Sequence, residues 1–299
     1  MQNNKNDIEN LYLDSGGIYG FTICGSLQCL QEKGILKNIK NILGCSVGGI
    51  LGLFLALGYS SEEIFNISYY LDLKKIINIK KNNFLNIYKN YGFDDGKKLE
   101  NIFKILIKNK TNNENLTFKE LYDYNKKTLI IIGNNINKRR YEIFNKDNSP
   151  NMELWKAVRI TCSLPLIFKP YKYNNFYYVD GGNSCNNTNY FKNKNKTIGI
   201  MLERGEIGNF KIESFEEYLT NLFYSPLKSL KFYNYIKDNC IEIDTHSQSI
   251  SFVNFSISNK NKISLYEFGY NQTQEQIKEI LKNINSNKSS FRNIGTQTD

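Results

Sequence analysis

The chain has 299 residues, of which 40% are hydrophobic and 14% aromatic, so it is long enough to bury a sizeable core. Its formal net charge is +10, but the basic residues are scattered and no aromatic-interleaved nucleic-acid motif appears. The abundance of Asn, Lys, Ile and Tyr is typical of an AT-rich coding sequence, as in a large DNA virus or an AT-rich protist. We therefore expect a globular protein that does not bind nucleic acid.

The cysteines and the single histidine argue against a metal site. None of the six Cys residues falls in a C-x-x-C pair, and most lie in apolar contexts, which predicts buried thiols in a reducing compartment. The polar N-terminus does not resemble a signal peptide, and the longest apolar run, residues 50–57, is too short to span a bilayer. We expect an intracellular protein, soluble or peripheral to membranes, with no cofactor and no metal.

Strand, turn and helix alternate at the start of the chain. Residues 9–13 favour a strand, a loop with two glycines follows, and the apolar spacing of residues 20–32 predicts a helix. Residues 39–43 and 47–57 repeat the order of strand and helix. This alternation indicates a parallel α/β sheet.

The rest of the chain continues as a single domain. Helices are predicted at residues 61–73, 97–108, 154–162, 215–238 and 273–284. Strands are predicted at residues 128–133, 140–144, 176–179, 197–202, 241–243 and 252–255. Because no repeat or linker interrupts this pattern, we expect one domain over residues 8–285 and a disordered polar tail over residues 286–299.

A serine stands between two glycines in Gly44-Cys45-Ser46-Val47-Gly48, where a strand gives way to a helix. Small neighbours allow a serine to occupy the strained turn of a nucleophile elbow. The N-terminal amides of the following helix would then face any developing negative charge. A plain turn around a small residue is the other interpretation.

A serine nucleophile needs a base. His246, the only histidine, lies in a polar segment with no signature around it. Asp180 follows an aromatic strand and precedes two glycines, so its carboxylate could turn toward a site, although a plain Asp-Gly turn is the alternative. The similar Asp-Asp-Gly sequence at residues 94–96 comes directly before a helix, which favours capping.

The loop DSGGIYG at residues 14–20 places glycines before a helix, where exposed backbone N–H groups can hold a phosphate or an oxyanion. A dinucleotide fingerprint would need Gly at position 15 and an acid at the end of the second strand. Position 15 is Ser, the second strand leads directly to Ser46, and no Walker motif occurs. The loop therefore favours an oxyanion hole over a nucleotide site.

Together the three motifs resemble the patatin-like phospholipases, in which a glycine-rich oxyanion loop, a G-x-S-x-G elbow and an Asp-Gly-Gly/Ala motif occur in this order. Here they read DSGGIYG (14–20), GCSVG (44–48) and DGG (180–182). Two flanking sequences are also similar to that family: SLQCLQEKGIL and TCSLPLIFKPYKYNNFYYVDGG. The resemblance covers about residues 8–270. It implies a patatin-like three-layer α/β/α fold with a central, mostly parallel sheet.

The resemblance further implies a lipid acyl hydrolase of the phospholipase A type with a Ser–Asp dyad. Ser46 would be the nucleophile and Asp180 the base, an acyl-enzyme would form, and no histidine would be needed. Backbone amides around Ser15, Gly16 and Gly17 would form the oxyanion hole. The remaining motif glycines are Gly20, Gly44, Gly48, Gly181 and Gly182.

Three positions depart from the usual pattern of that family. Ser15 replaces a glycine, which requires a negative φ there. Tyr19 replaces an Arg or Lys and removes a charge near the expected hole. Cys45 replaces a Thr or another small residue beside the nucleophile, as either a buried inert thiol or a source of thiol sensitivity. None of these changes removes the nucleophile or the base, so we expect activity.

Two other functions stay open at this point. One is another serine acyl-transfer enzyme, such as a thioesterase, carboxylesterase or transacylase. The other, motivated by Ser15 and Tyr19, is a non-catalytic lipid-binding or interaction protein on the same scaffold.

Two kinds of partner are also predicted. Lysine-rich loops and aromatic side chains predict transient contact with anionic membrane surfaces. The tail at Thr296-Gln297-Thr298 resembles the anchor that dynein light chains bind by adding a strand to a sheet edge.

Overall fold

The computed structural model describes residues 8–77, 87, 90–183, 190–203, 218, 239–245, 248, 250 and 255–294. The predictions for His246, for the Thr296-Gln297-Thr298 tail and for nearly all of residues 215–238 and 252–255 lie outside these residues.

The described chain contains both strands and helices. The strands are β1 (Asn10–Leu13), β2 (Asn41–Gly44), β3 (Gly92–Asp94), β4 (Thr128–Asn135), β5 (Arg140–Phe144), β6 (Leu166–Phe168), β7 (Tyr171–Tyr173), β8 (Phe176–Asp180), β9 (Thr197–Glu203) and β10 (Cys240–Asp244). The helices are α1 (Gly20–Glu32), α2 (Val47–Leu57), α3 (Ser61–Tyr70), α4 (Leu73–Ile76), α5 (Lys97–Thr111), α6 (Phe118–Asn125), α7 (Leu154–Thr161) and α8 (Asn259–Ile294).

Within the described residues, eight strands form one sheet in the order β10-β9-β1-β2-β4-β8-β7, with β5 also paired to β4. The five strands from β10 to β4 are parallel to one another, and β5, β7 and β8 join in antiparallel pairs. Helices flank this sheet, with α2 and α7 packed on β4 and α8 packed on α1 and β10. The predicted mostly parallel α/β sheet is therefore confirmed. The short strands β3 and β6, which form a separate parallel pair, and β7 were not predicted.

The helix predicted over residues 61–73 is divided in the structure. Helix α3 begins as expected with a capping box, in which Ser60 accepts from the Glu63 N–H and the Glu63 carboxylate accepts from the Ser60 N–H. It ends at Tyr70 because Leu71 is extended (φ −71°, ψ 118°). The Asp72 side chain then accepts from the Lys75 N–H and caps α4.

The C-terminal helix is longer than predicted at both ends. Its N-terminal part packs closely on α1, since a Cβ on Gly25 would lie 1.9 Å from the Tyr266 carbonyl oxygen and one on Gly269 would lie 1.9 Å from the Thr22 carbonyl oxygen. Residues 286–294, expected to be disordered, are helical. This stretch contains neither Gly nor Pro, and the first such residue is Gly295.

Strands β2 and β8 meet end to end along one edge of β4, and this meeting positions the candidate site. Strand β2 runs parallel to residues 128–131 of β4, with Gly44 opposite Ile131. Strand β8 runs antiparallel to residues 133–135, with Asp180 opposite Gly133. Because β5 pairs with residues 131–135 from the other edge, β2 and β8 share one edge. Their carboxyl ends therefore face each other across Ile132.

Candidate active site

The turn between β2 and α2 holds Ser46 in an uncommon backbone conformation, with φ 52° and ψ −125°. A positive φ is rare for a residue with a Cβ and marks a tight, strained turn. The two glycines of the motif, Gly44 and Gly48, allow neighbouring backbone segments to approach more closely than a Cβ would permit. A Cβ on Gly44 would lie 2.3 Å from the Gly48 carbonyl oxygen, and a Cβ on Gly48 would lie 2.4 Å from the Leu13 carbonyl oxygen. The geometry is that of an elbow and not of an ordinary turn.

The carboxylate at the end of β8 contacts the serine of this elbow. Ser46 Oγ donates to Asp180 Oδ2 at 2.7 Å, although 134 positions separate the two residues in sequence. Both side chains are buried, and Asp180 is fully so. Asp180 Oδ1 accepts from the Gly182 N–H at 2.7 Å, so one carboxylate oxygen is fixed by the backbone while the other faces the serine.

Both glycines after Asp180 lie against neighbouring chain. A Cβ on Gly181 would lie 2.3 Å from the Ile132 carbonyl oxygen. A Cβ on Gly182 would lie 3.1 Å from Ser15 Oγ, which places the loop after β1 beside this turn. The three predicted motifs therefore come together at the carboxyl ends of β1, β2 and β8.

The loop after β1 differs from the prediction at one of its three amides. The Ser15 N–H donates to Asp14 Oδ1 at 2.8 Å, so this amide is already engaged by a neighbouring carboxylate. Asp14 Oδ2 accepts from the Leu202 N–H at 3.2 Å and fastens the loop to β9. Within the described part of the chain, the N–H groups of Gly16 and Gly17 have no hydrogen-bond acceptor. These two amides fit an oxyanion hole, whereas that of Ser15 does not.

Helix α2 supplies a further amide, in agreement with the expectation that the N-terminal amides of the helix after Ser46 face developing negative charge, although Val47 was not among the predicted oxyanion-hole residues. Val47 follows Ser46 and is the first residue of α2, and its N–H also has no acceptor among the described residues. A Cβ on Gly20 would lie 2.4 Å from Val47 Cγ2, so the start of α1 packs directly on the elbow. The N-termini of two helices thus converge beside Ser46, where their dipoles favour negative charge.

Thr161, at the end of α7, is a residue that sequence reasoning missed. Its Oγ1 accepts from the Ser46 N–H at 2.9 Å across 115 positions in sequence. Cys162 Sγ lies 3.7 Å from the Ser46 carbonyl oxygen, and burial raises the pKa of this thiol well above its usual range. Neither contact follows from any motif spacing.

The departures from the family pattern lie inside the protein. Cys45 is buried, with its Sγ 3.9 Å from Thr161 Oγ1, which agrees with a buried thiol. Tyr19 is also buried, and its hydroxyl lies 2.9 Å from the Gln248 carbonyl oxygen and 2.6 Å from that of Ile250. Tyr19 therefore joins the loop after β1 to the segment that follows β10.

The Asp-Asp-Gly sequence at residues 94–96 comes directly before α5 as expected, but the N-cap of this helix is Gly96, which has no side chain to cap the helix. Asp94 Oδ1 accepts from the Gly96 N–H at 2.6 Å, and Asp95 Oδ1 accepts from the Lys97 N–H at 3.1 Å. Among the residues that the structure describes, no group of three or more His, Cys, Asp or Glu side chains could hold a metal ion. In the same part of the chain, no helix is long and apolar enough to cross a membrane.

The fold and the site define a class of α/β proteins that carry a buried serine–aspartate pair at the carboxyl edge of a mostly parallel sheet. Residues 11–191 match the sequence profile of the family described as patatin-like phospholipase. This match covers more than half of the chain and all three motifs, and the chain belongs to that family.

Similar proteins include two of viral origin. An uncharacterised protein of Acanthamoeba polyphaga mimivirus is 32% identical over 294 residues, which cover 93% of this chain and 96% of that protein. A probable lipid hydrolase of Invertebrate iridescent virus 6 is 33% identical over 179 residues, which cover 58% of this chain and 59% of that protein. These relatives fit the viral source that the composition suggests.

Among solved structures, VipD from Legionella pneumophila shares the fold. Its TM-score is 0.63 at 18% sequence identity, and the match covers 93% of this chain and 67% of that one. The expected patatin-like α/β fold is therefore confirmed.

Proposed function

We propose that this protein is a lipid acyl hydrolase of the phospholipase A type, in which Ser46 is the nucleophile and Asp180 the general base. The observation that carries the proposal is the 2.7 Å hydrogen bond from Ser46 Oγ to Asp180 Oδ2 inside a buried site. Membership of the patatin-like phospholipase family supports a lipid ester as the substrate. The similarity to a probable lipid hydrolase supports the same substrate class.

In the proposed reaction, Ser46 Oγ attacks the ester carbonyl carbon while its proton moves to Asp180 Oδ2. The carbonyl oxygen becomes an oxyanion, which accepts hydrogen bonds from the N–H groups of Gly16, Gly17 and Val47. By analogy with other hydrolases, each such donor is worth about 3–4 kcal/mol in the transition state. When the oxyanion collapses, the bond to the alcohol breaks, and the alcohol takes the proton from Asp180.

The acyl group is then bound to Ser46 as an ester. A water molecule attacks this acyl-enzyme and gives a proton to Asp180. Collapse of the second oxyanion releases the fatty acid, and the proton returns from Asp180 to Ser46 Oγ. No step requires a histidine, a metal or a cofactor.

Contact with an anionic membrane surface is part of the proposal. Tyr70, at the end of α3, is 80% exposed, and Lys74 and Lys75 on α4 are exposed close by in sequence. Tyrosine and lysine side chains favour the interface between lipid headgroups and water. Binding to anionic vesicles that does not weaken with added salt would contradict this contact.

The dynein light chain anchor at Thr296-Gln297-Thr298 also stays a proposal. Titration of a peptide of the last residues against the light chain tests it, and the absence of binding at high micromolar concentration would exclude it.

The proposed activity is tested with wild type, Ser46→Ala and Asp180→Asn on phospholipids labelled at either acyl position, simple esters and acyl thioesters. Asp94→Asn is the matched control, because Asp94 is another buried aspartate before a turn, where it accepts from the Gly96 N–H. We expect the two site variants to lose about 1,000-fold or more in kcat while Asp94→Asn retains turnover. Circular dichroism verifies that each variant is folded.

The outcomes separate the alternatives. Preference for thioesters, or acyl transfer to an alcohol, would replace the phospholipase assignment by another serine acyl-transfer enzyme. Wild type that binds lipid vesicles but turns over no ester would favour the non-catalytic lipid-binding protein. Activity in folded Ser46→Ala or Asp180→Asn protein would overturn the dyad.

A further inference from the structure

One short stretch of chain, residues 159–163, contacts both members of the Ser46–Asp180 pair. Thr161 Oγ1 accepts from the Ser46 N–H at 2.9 Å, and the Ser163 carbonyl oxygen accepts from the Asp180 N–H at 2.8 Å. Thr161 and Ser163 are both fully buried. The backbones of the serine and the aspartate are therefore fastened to two residues that are themselves two positions apart.

The hydrogen bond from the Ser46 N–H to Thr161 Oγ1 is made at the residue that has the uncommon backbone conformation. Ser46 has a φ of 52°, and its N–H points out of the turn instead of joining the hydrogen bonds of α2. The Thr161 side chain fits this place by size as well, since its Cγ2 lies 2.8 Å from the position of a Cβ on Gly49. A hydroxyl acceptor on a compact side chain thus holds the elbow in its strained conformation.

The Arg159 side chain also forms hydrogen bonds that fix residues 159–163. Its guanidinium is 1% exposed; Nη1 donates to Ser163 Oγ at 2.5 Å, and Nη2 donates to the Asp95 carbonyl oxygen at 3.2 Å. Ser163 Oγ in turn donates to the Arg159 carbonyl oxygen at 2.8 Å. The Glu100 carboxylate lies 3.6 Å from Arg159 Nε and partly compensates the buried charge. These contacts fix the turn in the protein interior.

We propose that Thr161 is a positioning residue that sets the geometry between Ser46 and Asp180. Ser163 and Arg159 hold Thr161 at a fixed position relative to both residues. Thr161 touches no reacting atom and acts through the backbone of Ser46. The effect on turnover rests on the proposed function, whereas the effect on geometry does not. A misplacement of about 1 Å at a reacting centre is enough to lower a rate about 100-fold.

The test compares Thr161→Val, which removes the acceptor at similar volume, with Thr161→Ser, which keeps it. We expect Thr161→Val to lower kcat about 10- to 100-fold with little change in KM, and Thr161→Ser to retain most of the wild-type kcat. Thr161→Ala serves as a second variant that places no additional methyl group against the Ser46 N–H. Thr273→Val is the matched control, because Thr273 is a fully buried helical threonine that donates only to Gly269 in α8 among the described contacts.

Crystal structures of wild type, Thr161→Val and Thr161→Ala measure the geometry without any turnover. We expect the distance from Ser46 Oγ to Asp180 Oδ2 to lengthen, or the φ of Ser46 to change, in both variants. The proposal is overturned by an unchanged elbow and distance in these structures. It is also overturned if kcat is unaffected, if Thr161→Ser is as impaired as Thr161→Val, or if Thr273→Val shows the same loss. Inert wild-type protein would refute the proposed function alone, because the structures would still decide the positioning role.

Discussion

The two ends of the central parallel strands use their polar groups in different ways. At the amino ends of β1, β2 and β9, the polar side chains form hydrogen bonds with one another. Asn41 Nδ2 donates to Asn10 Oδ1 at 2.8 Å, and Asn10 Nδ2 donates to Thr197 Oγ1 at 3.1 Å. At the carboxyl ends, Ser46 is held at a positive φ next to the buried Asp180 carboxylate.

This difference separates stability from function along the same strands. The amino ends carry ordinary hydrogen bonds and ion pairs, which contribute modestly to stability and can be removed one at a time. The carboxyl ends carry strain and N–H donors that have no acceptor among the described residues, which cost stability and are useful only if a reacting group occupies the site. Substitutions at the carboxyl ends should therefore change activity strongly, and substitutions at the amino ends should change only stability.

The largest effect is expected from removing the Ser46 side chain in two different ways. Ser46→Ala removes the nucleophile but keeps a Cβ at positive φ, whereas Ser46→Gly removes both. Both variants should lose turnover, but Ser46→Gly should be the more stable, since glycine adopts this φ without steric cost. We expect the gain over Ser46→Ala to be about 1 kcal/mol, or a rise of about 2 °C in Tm.

Thermal unfolding of the two variants beside wild type measures this difference. Equal melting temperatures for Ser46→Ala and Ser46→Gly would mean that the turn stores no strain at Ser46. Retained turnover in either variant would contradict the role of Ser46 itself.

A smaller effect separates two glycines of α2. A Cβ on Gly48 would meet backbone, 2.4 Å from the Leu13 and 2.5 Å from the Asp14 carbonyl oxygen, whereas the nearest atom to one on Gly52 would be the side-chain methyl Cγ2 of Ile42 at 3.1 Å. Gly48→Ala should therefore destabilise the protein by about 1–3 kcal/mol. It should also reduce kcat, because the new methyl group forces the turn that holds Ser46 away from the loop after β1.

Gly52→Ala is the control for Gly48→Ala in the same helix. Alanine favours a helix over glycine by about 1 kcal/mol, which should offset the small displacement of Ile42. Urea unfolding midpoints and kcat, measured for both variants and wild type, test whether only Gly48→Ala lowers stability and activity. Similar losses in both variants would show that α2 as a whole, and not the contact at Gly48, is sensitive.

The sequence predicts those parts of the fold that depend on neighbouring residues. Helices α1 and α2 have the predicted bounds, because apolar residues recur at helical spacing and each helix is followed within two positions by a glycine with positive φ, Gly34 and Gly58. Strand β5 also has its predicted bounds. For α8 the prediction covers only residues 273–284, and it omits the N-terminal part of the helix, which packs closely on α1.

The site is only partly predictable for the same reason. The motifs identify Ser46 and Asp180, but their contact depends on β2 and β8 meeting along one edge of β4, which no local pattern indicates. Thr161 binds the Ser46 N–H from 115 positions away, and no local pattern around Thr161 indicates this contact. The engagement of the Ser15 N–H by Asp14 depends on one side-chain rotamer in a short loop.

The smallest effect is expected at the amino ends of the strands, where Glu9 bridges two lysines. Its carboxylate lies 2.8 Å from Lys40 Nζ and 3.2 Å from Lys196 Nζ. These hydrogen bonds, from Lys40 first and Lys196 second, lower the pKa of the Glu9 carboxyl. Because the folded state has the lower pKa, the ionised form stabilises the protein above the unfolded pKa, and this stability is lost as the pH falls through the folded pKa.

Glu9→Gln should therefore lower the free energy of unfolding by about 0.2–1 kcal/mol at pH 7 and leave kcat unchanged. The difference from wild type should shrink in high salt and disappear once the pH has fallen through the lowered pKa of the folded Glu9 carboxyl, where both side chains are neutral. Glu267→Gln is the control, since Glu267 is exposed on α8 and makes no ion pair among the described residues. A difference that persists in acid would mean that Glu9 acts by packing instead of charge, and a loss of kcat would contradict the separation between the two ends of the strands.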